Sequence, residues 1–318
     1  MQHNPNHYSG LMRLLGSDAV AWLQEKGLGA GVWFNLGAKV NGQTIKYGCI
    51  AIDALCRDML DWETLYISGR TQKPVRILVD DARVRLSNQA NLASALRTAL
   101  LLLPESFTER ELYETLAGLS YRGDFRMAMG ENPSKVKNIV AAQLPQFRKL
   151  YGGLVKSFWK SVYLVGETPE GERIMRQDRG TSQRVKLIRK LPVGLRGRVR
   201  EKYEAEWRRV KALSPEQEVE AKTEGQNMTD PEGVVDQLAG QENVEVAVWS
   251  RIVEDTEFDA TLSKSLADIV KQPALNQSIK GIISAGPVKS LGYVGAKLSK
   301  KFFGGSSAPK AIDQPKQE

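Results

Sequence analysis

The sequence predicts an α+β chain in which a mixed first region gives way to helical segments and a C-terminal amphipathic segment. Three observations predict it. Asn41-Gly42 separates two β-rich runs, and both turn positions accept a positive φ, so a hairpin is expected there. Asn88 to Leu103 is rich in Ala and Leu and stops at Pro104, and Thr108 with Glu111 forms a capping box that opens a further helix. Val288, Leu291, Val294, Leu298 and Phe302 recur at three- and four-residue spacing with lysines on the rest of the projection, the pattern of a basic amphipathic helix.

Taken in order, Leu11 to Lys26 carries apolar residues at helical spacing and stops at Gly27. The hairpin runs follow. Asp53 to Asp61 reads as a short helix. Leu65 to Ile67 and Pro74 to Val79 read as strands joined by the polar loop GRTQK. The helix from Asn88 is followed by the capped helix running to about Leu116, a polar loop SYRGDFRM with a turn glycine, and a helix over Ser134 to Tyr151 bent at Pro145. Three helices with short connections suggest a compact helical subdomain, for which a winged-helix arrangement is a candidate. Residues 167–183 are turn-rich. Arg184 to Lys211 is strongly basic, and residues 214–243 are acidic and Gln/Gly-rich, as a linker would be. Residues 244–270 can hold one or two helices, and disorder is expected of residues 306–318. The units are therefore residues 1–85, 86–165, 166–243, 244–305 and 306–318.

Composition narrows the class. The chain has 318 residues, 42% hydrophobic and 26% charged, an ordinary globular balance. Its net charge of +8 favours an acidic partner such as nucleic acid, an anionic membrane or a polyphosphate. Cys49 and Cys56 match no zinc spacing and imply no disulfide framework. The longest apolar run, Ala99 to Leu103, is far short of the ~20 residues a helical membrane span needs. The start, MQHNPNHYSGLMRLLGS, has the features of neither a secretory signal nor an Arg-rich transit peptide, and reads like the middle of a domain.

Five features bear on chemistry. Arg70 and Lys73 lie three apart around the GRTQKP turn and can offer a guanidinium and an ammonium to a polyphosphate; a solvated basic loop is the plainer alternative. Tyr121, Arg122, Asp124 and Arg126 crowd about Gly123, as either a salt-bridged loop or a binding loop. No Asp-x-Asp pair occurs, and adjacent Asp80 and Asp81 would face opposite ways on a strand, so Gly16-Ser17 is read as a turn and cap rather than a nucleotide site. His3 and His7 have no Cys or His companions, so no metal ligand is assigned. The C-terminal amphipathic stretch would either lie on an anionic membrane or dock on the protein's own core. On the first reading Lys289, Leu291, Lys297, Leu298, Lys300, Lys301, Phe302 and Phe303 are the membrane-contacting residues.

Six stretches, HYSGLMRLLG, GAGVWFN, NGQTIKYG, DMLDWETLYISGRTQKPV, LPESFTERELYETLAGLSYRGDFRMAMGE and QSIKGIISAG, resemble the mitochondrial translocator assembly and maintenance family of phosphatidate cytidylyltransferases. They cover most of residues 7–151 and a piece near 277–286, while residues 152–270 resemble the family poorly. The resemblance implies a nucleotidyltransferase domain, of which residues 1–85 would be the C-terminal part. A helical winged-helix-like domain over 86–165 and a C-terminal membrane-associating segment would follow. It implies conversion of CTP and phosphatidate to CDP-diacylglycerol and pyrophosphate, with Mg2+, for cardiolipin synthesis on the matrix side of the mitochondrial inner membrane. No nucleic-acid partner is expected. It carries Arg70, Lys73, Lys46 and Tyr47 over as nucleotide- or phosphate-binding residues, and Tyr121, Asp124 and Arg126 as substrate-orienting residues. The family's Gly-Ser and Asp-x-Asp motifs fall upstream of HYSG and have no counterpart here. The expectation is therefore a chain truncated at its N-terminus that by itself makes little CDP-diacylglycerol; the alternative is a non-catalytic membrane-surface or assembly protein of the same descent.

Overall fold

The Asn41-Gly42 signal folds as read. A computed structural model describes residues 29–40, 42–129, 132–211 and 241–285, with positions 14, 22 and 27 besides. In it β1 (Val32–Val40) and β2 (Gln43–Ile50) pair antiparallel, with Val40 opposite Gln43 across the turn. The expected helix over 11–26 and the amphipathic segment over 288–303 lie outside the described residues, but for positions 14 and 22.

The next region departs from the expectation. Helix α1 (Ile52–Asp61) is as read. The segments 65–67 and 74–79, however, are not strands, and GRTQ is not a loop between them. Ser68–Thr71 forms the short helix α2, and residues 74–77 run on without regular structure. The reason is local satisfaction of the backbone. A strand needs a neighbour for its N–H groups, and here the Asp58 carboxylate takes three of them, from Thr64, Leu65 and Ser68, at 2.8, 3.0 and 3.0 Å. Asp81 accepts from the backbone of Arg83 and Val84 and so caps α3 (Ala82–Leu102).

The helical part begins with α3 and the short strand β3 (Ser106–Thr108). The Thr108–Glu111 capping box then opens α4 (Glu109–Gly118), with both reciprocal bonds present. The polar SYRGDFRM stretch holds a 3-10 turn over Leu119–Tyr121, a left-handed Gly123 and the start of α5 (Phe125–Met129). Helix α6 (Lys135–Ser157) is interrupted at Gln143, two residues before Pro145, where the proline ring displaces the preceding turn. Strand β4 (Val162–Glu167) ends where the turn-rich stretch begins, and β5 (Arg173–Gln177) lies within it. They complete an antiparallel sheet ordered β3-β5-β4, which the turn-rich composition had hidden. The basic stretch is helical, as α7 (Thr181–Ile188) and α8 (Val193–Lys211). Beyond it lie α9 (Gln241–Glu254) and the long α10 (Phe258–Ala285). The architecture is α+β.

One apolar cluster runs through this part of the chain. Leu96, Leu100, Leu112, Leu116, Phe147 and Tyr151 join Leu195, Val199, Trp249, Phe258, Leu262, Leu266 and Ile269 in it. Along α10 the buried positions Phe258, Leu262, Leu266, Ile269 and Val270 recur every three or four residues, the spacing that places them on one face. The start of α10 is fixed by Asp259, whose carboxylate accepts from Arg179 and Arg184 at 2.9 Å each.

Candidate functional site: a cationic, aromatic-lined cluster

The connection from α1 to α2 is an unusual piece of backbone. Trp62 and Leu65 both have φ of 54°, in the left-handed region that costs a side-chain-bearing residue roughly 1–2 kcal/mol. Buried hydrogen bonds hold it there. Besides the three backbone donors, Asp58 accepts the Thr64 hydroxyl at 2.8 Å. On α3, buried Asn91 accepts from Trp62 Nε1 at 2.8 Å and from Gln72 Nε2 at 3.0 Å, and donates to Ser68 O at 2.9 Å and Thr71 Oγ1 at 3.0 Å. From α6 the Tyr151 hydroxyl donates to Gln72 O at 2.8 Å. The strained turn and α2 are therefore positioned by three helices that surround them.

This frame sets Lys73. The sequence presents it as a loop cation, but the side chain is only 2% exposed. Its Nζ donates to Gly69 O at 2.7 Å and Ser120 Oγ at 2.9 Å, and lies 4.8 Å from the Tyr121 ring centroid. Lys135 Nζ stands 4.8 Å from the same ring. Burial above all, then the charges of Arg70 and Lys135, lower the Lys73 pKa to about 7. Arg70, on α2, is exposed. Gly69 makes this packing possible: a Cβ there would fall 2.2 Å from Ser120 Cβ.

A second group lies beside it. Asp124, buried, accepts from Arg126 Nε at 2.9 and 3.1 Å and from its Nη2 at 2.7 Å. This pairing is foremost among the contacts that raise the Arg126 pKa. The guanidinium lies 5.8 Å from the Tyr66 ring centroid, Tyr66 lies 6.3 Å from Phe34, and Lys46 Nζ stands 4.0 Å over Phe34. The loop is pinned to α10. Arg122 donates to Ser263 Oγ at 2.6 Å, and Gly123, with φ of +73°, comes so close that a Cβ would fall 2.5 Å from Ala267 O.

Of the residues singled out from the sequence, Arg70, Lys73 and Tyr121 are brought together, and Asp124, Arg126 and Lys46 form a neighbouring line of charges and rings. Tyr47 is not on that line. Phe34 is opposite Gly48 in the hairpin, so alternation puts Lys46 on the Phe34 face and Tyr47 on the other face, with Trp33 and Cys49. Sequence reasoning missed Asp58, Asn91, Ser120, Lys135 and Tyr66. Asp58 and Tyr66 lie within the quoted stretch DMLDWETLYISGRTQKPV, and that density of polar residues beside a turn was the available signal. Lys289, Leu291, Lys297, Leu298, Lys300, Lys301, Phe302 and Phe303 lie outside the described residues.

Chemically, the cluster offers cations and donors held by a buried frame. Such an arrangement is preorganised for the oxygens of a phosphorylated ligand. Among the described residues no three His, Cys, Asp or Glu side chains converge as metal ligands. The fold is thus α+β, and the site gathers cations and rings over a buried hydrogen-bonded frame. The chain belongs to the family described as mitochondrial phosphatidate cytidylyltransferase, which matches residues 1–300. The Xenopus laevis mitochondrial phosphatidate cytidylyltransferase is 36% identical over 306 residues, 93% of this chain and 77% of its own length. The Drosophila melanogaster protein of that name is 38% identical over 314 residues, 95% and 80% of the two chains. The Schizosaccharomyces pombe one is 34% identical over 310 residues, 94% and 70%.

Proposed function

We propose that this chain acts in the reaction for which its relatives are named, transfer of a cytidylyl group from CTP to phosphatidate. An oxygen of the phosphatidate phosphate attacks the α-phosphorus of CTP. The bond from that phosphorus to the oxygen bridging to the β-phosphate breaks, giving CDP-diacylglycerol and pyrophosphate, which would feed cardiolipin synthesis. The observation that carries the reading is the convergence of Lys73 and Lys135 on the Tyr121 ring, with the charge of Arg70 acting on Lys73, over a hydrogen-bonded frame. In it exposed Arg70 meets the phosphates directly. Lys73, held by Gly69 O and Ser120 Oγ, supplies charge from beneath, and Lys46 extends the cationic line. Tyr121, Asp124 and Arg126 orient substrate, Asp124 by fixing the Arg126 guanidinium. Tyr47, on the other hairpin face, points away from this cluster and takes no part in it. Mg2+ is part of the reading by family, although among the described residues no three His, Cys, Asp or Glu side chains converge to hold it.

The fold supports the finer architecture. Apart from the five-residue α5, a helix, a strand, two helices and a hairpin follow in order as α3, β3, α4, α6 and β4-β5, with the first strand against the last. That is the element order and sheet order of a winged helix. The β1-β2 hairpin with α1 would then be the end of a nucleotidyltransferase unit. No described helix is long and apolar enough to cross a membrane. With mitochondrial relatives, this fits a peripheral mitochondrial protein, which we place on the matrix side of the inner membrane against anionic lipid.

The test has two readouts. Titration calorimetry with CTP is expected to show binding that Arg70→Ala weakens by roughly tenfold or more, the worth of a charge-assisted hydrogen bond. Incubation with CTP, phosphatidate vesicles and Mg2+ measures CDP-diacylglycerol. Unchanged CTP affinity in Arg70→Ala removes that residue from the site. Vesicle binding with no CTP binding and no product would instead support a non-catalytic membrane-surface role.

A further inference from the structure

Lys280 lies one turn from the end of the described part of α10 and is 4% exposed. Its Nζ is buried and has no hydrogen-bond acceptor among the described residues. The ammonium stands instead 5.2 Å from the Trp33 ring centroid. Burial lowers its pKa to about 8. One turn earlier, buried Gln277 accepts the Ala30 N–H through Oε1 at 3.1 Å. Both side chains close on the turn Gly29-Ala30-Gly31, in which the two glycines have φ of 111° and 67°. A Cβ on Gly29 would fall 2.6 Å from Gln277 Oε1 and 3.2 Å from Lys280 Cδ. Turn and helix are thus fitted to each other around a buried cation to which the described residues give an aromatic face and no acceptor. Native proteins answer nearly every such group with a partner, because an unpaired buried charge is costly.

We propose that Lys280, with the Gly29-Ala30-Gly31 turn, is a second phosphate-binding site, on the Trp33 face of the hairpin. It is distinct from the cluster at Lys73 and Arg126. Trp33 and Phe34 point to opposite faces of β1, and Lys46 sits over Phe34. Along α10, Lys280 is thirteen residues beyond Ala267, the contact of the Gly123 loop, which is about 20 Å of helix. A lysine is suited to the task as a compact point charge on a flexible stem. Rotation of that stem lets the ammonium leave the ring and meet an anion at the mouth of the turn without moving the helix. The ligand class is a phosphate monoester or polyphosphate. The choice among CTP, pyrophosphate and phosphatidate rests on the cytidylyltransferase reading; the site itself does not.

The experiment uses the full chain in phosphate-free buffer. Tryptophan fluorescence and thermal unfolding are followed during titration with pyrophosphate, CTP, and phosphatidylcholine vesicles with and without phosphatidate, at matched ionic strength. A saturable fluorescence change is expected that Trp33→Phe and Lys280→Met abolish and Lys280→Arg retains. Without anion, Lys280→Met is expected to melt above wild type, since it removes an uncompensated buried cation, and to show a smaller anion-induced rise in Tm. A response to pyrophosphate or CTP assigns the site to nucleotide phosphates, and one to phosphatidate vesicles alone assigns it to the lipid. No response to any probe, an undiminished response in Lys280→Met, or a lower Tm for Lys280→Met overturns the proposal, the last by showing that an acid of the chain already pairs the lysine. If Lys280→Met does not fold, a wild-type Tm that no phosphate probe raises above the chloride control overturns it equally. CDP-diacylglycerol formation is scored separately, so the enzymatic reading can fail while this one stands.

Discussion

Lys73 shows how a side chain's environment changes its chemistry. In the unfolded chain its ammonium titrates near the ordinary lysine value of 10.5; in the folded protein the proton leaves from about pH 7. Between those values the unfolded state binds more protons, so stability rises with pH across that window. Below pH 7 both states are protonated and the full cost of the buried charge is present; above 10.5 both are neutral and the cost is gone. The groups that face the ammonium are Tyr121, Arg70 and Lys135, besides its acceptors Gly69 O and Ser120 Oγ. Urea unfolding of wild type is therefore expected to show a rise in stability from pH 7 to 10 that Lys73→Met flattens. Parallel curves for the two proteins would mean that Lys73 does not carry this titration.

Among the elements, α2 and the 3-10 turn meet where neither has room to spare. Gly69→Ala places its Cβ on Ser120 and is expected to destabilise the protein by about 1–3 kcal/mol, as overpacking does. It also displaces Ser120 Oγ from Lys73. Ser120→Gly in the same chain removes the obstructing Cβ, so the double variant should regain stability relative to Gly69→Ala, although Lys73 then lacks one acceptor. Denaturant midpoints of the four proteins form a double-mutant cycle; strict additivity would refute the contact. This packing was not legible in the sequence. Thr108 and Glu111 announced their helix because a capping box acts over three residues, and Asn41-Gly42 announced a hairpin for the same reason. GRTQKP is just as polar as a loop and was read as one. What makes it a helix is Asp58 and Asn91, side chains from elements before and after it.

The whole molecule is organised around α10. Its apolar face enters the same cluster as α3, α4 and α6, its start is held by Arg179 and Arg184, and Lys202 donates to its Asp268 at 2.6 Å. Farther on it carries Ser263 and Ala267 against the loop of Arg122 and Gly123, and Gln277 and Lys280 against the start of β1. A shared core predicts shared unfolding. Leu266→Ala, at a fully buried position, is expected to cost about 2–5 kcal/mol and to lower a single melting transition seen alike by far-ultraviolet circular dichroism and fluorescence. Two separated transitions would mean that α10 belongs to a unit of its own.

By itself the sequence determined the α+β class, the β1-β2 hairpin, the capped helix α4, the bend in α6 and, through its quoted stretches, the family. These depend on turns, caps, periodicity and residue identity, which operate over a few neighbouring positions. Tertiary structure alone decided that Lys73 is buried. It also decided that Lys280 lies under a turn at the other end of the chain. Each depends on a partner that no local pattern names: Ser120 is 47 residues from Lys73, and Ala30 is 247 residues from Gln277. Burial and charge balance are set by which distant surfaces the chain brings together, and so they are properties of the folded chain.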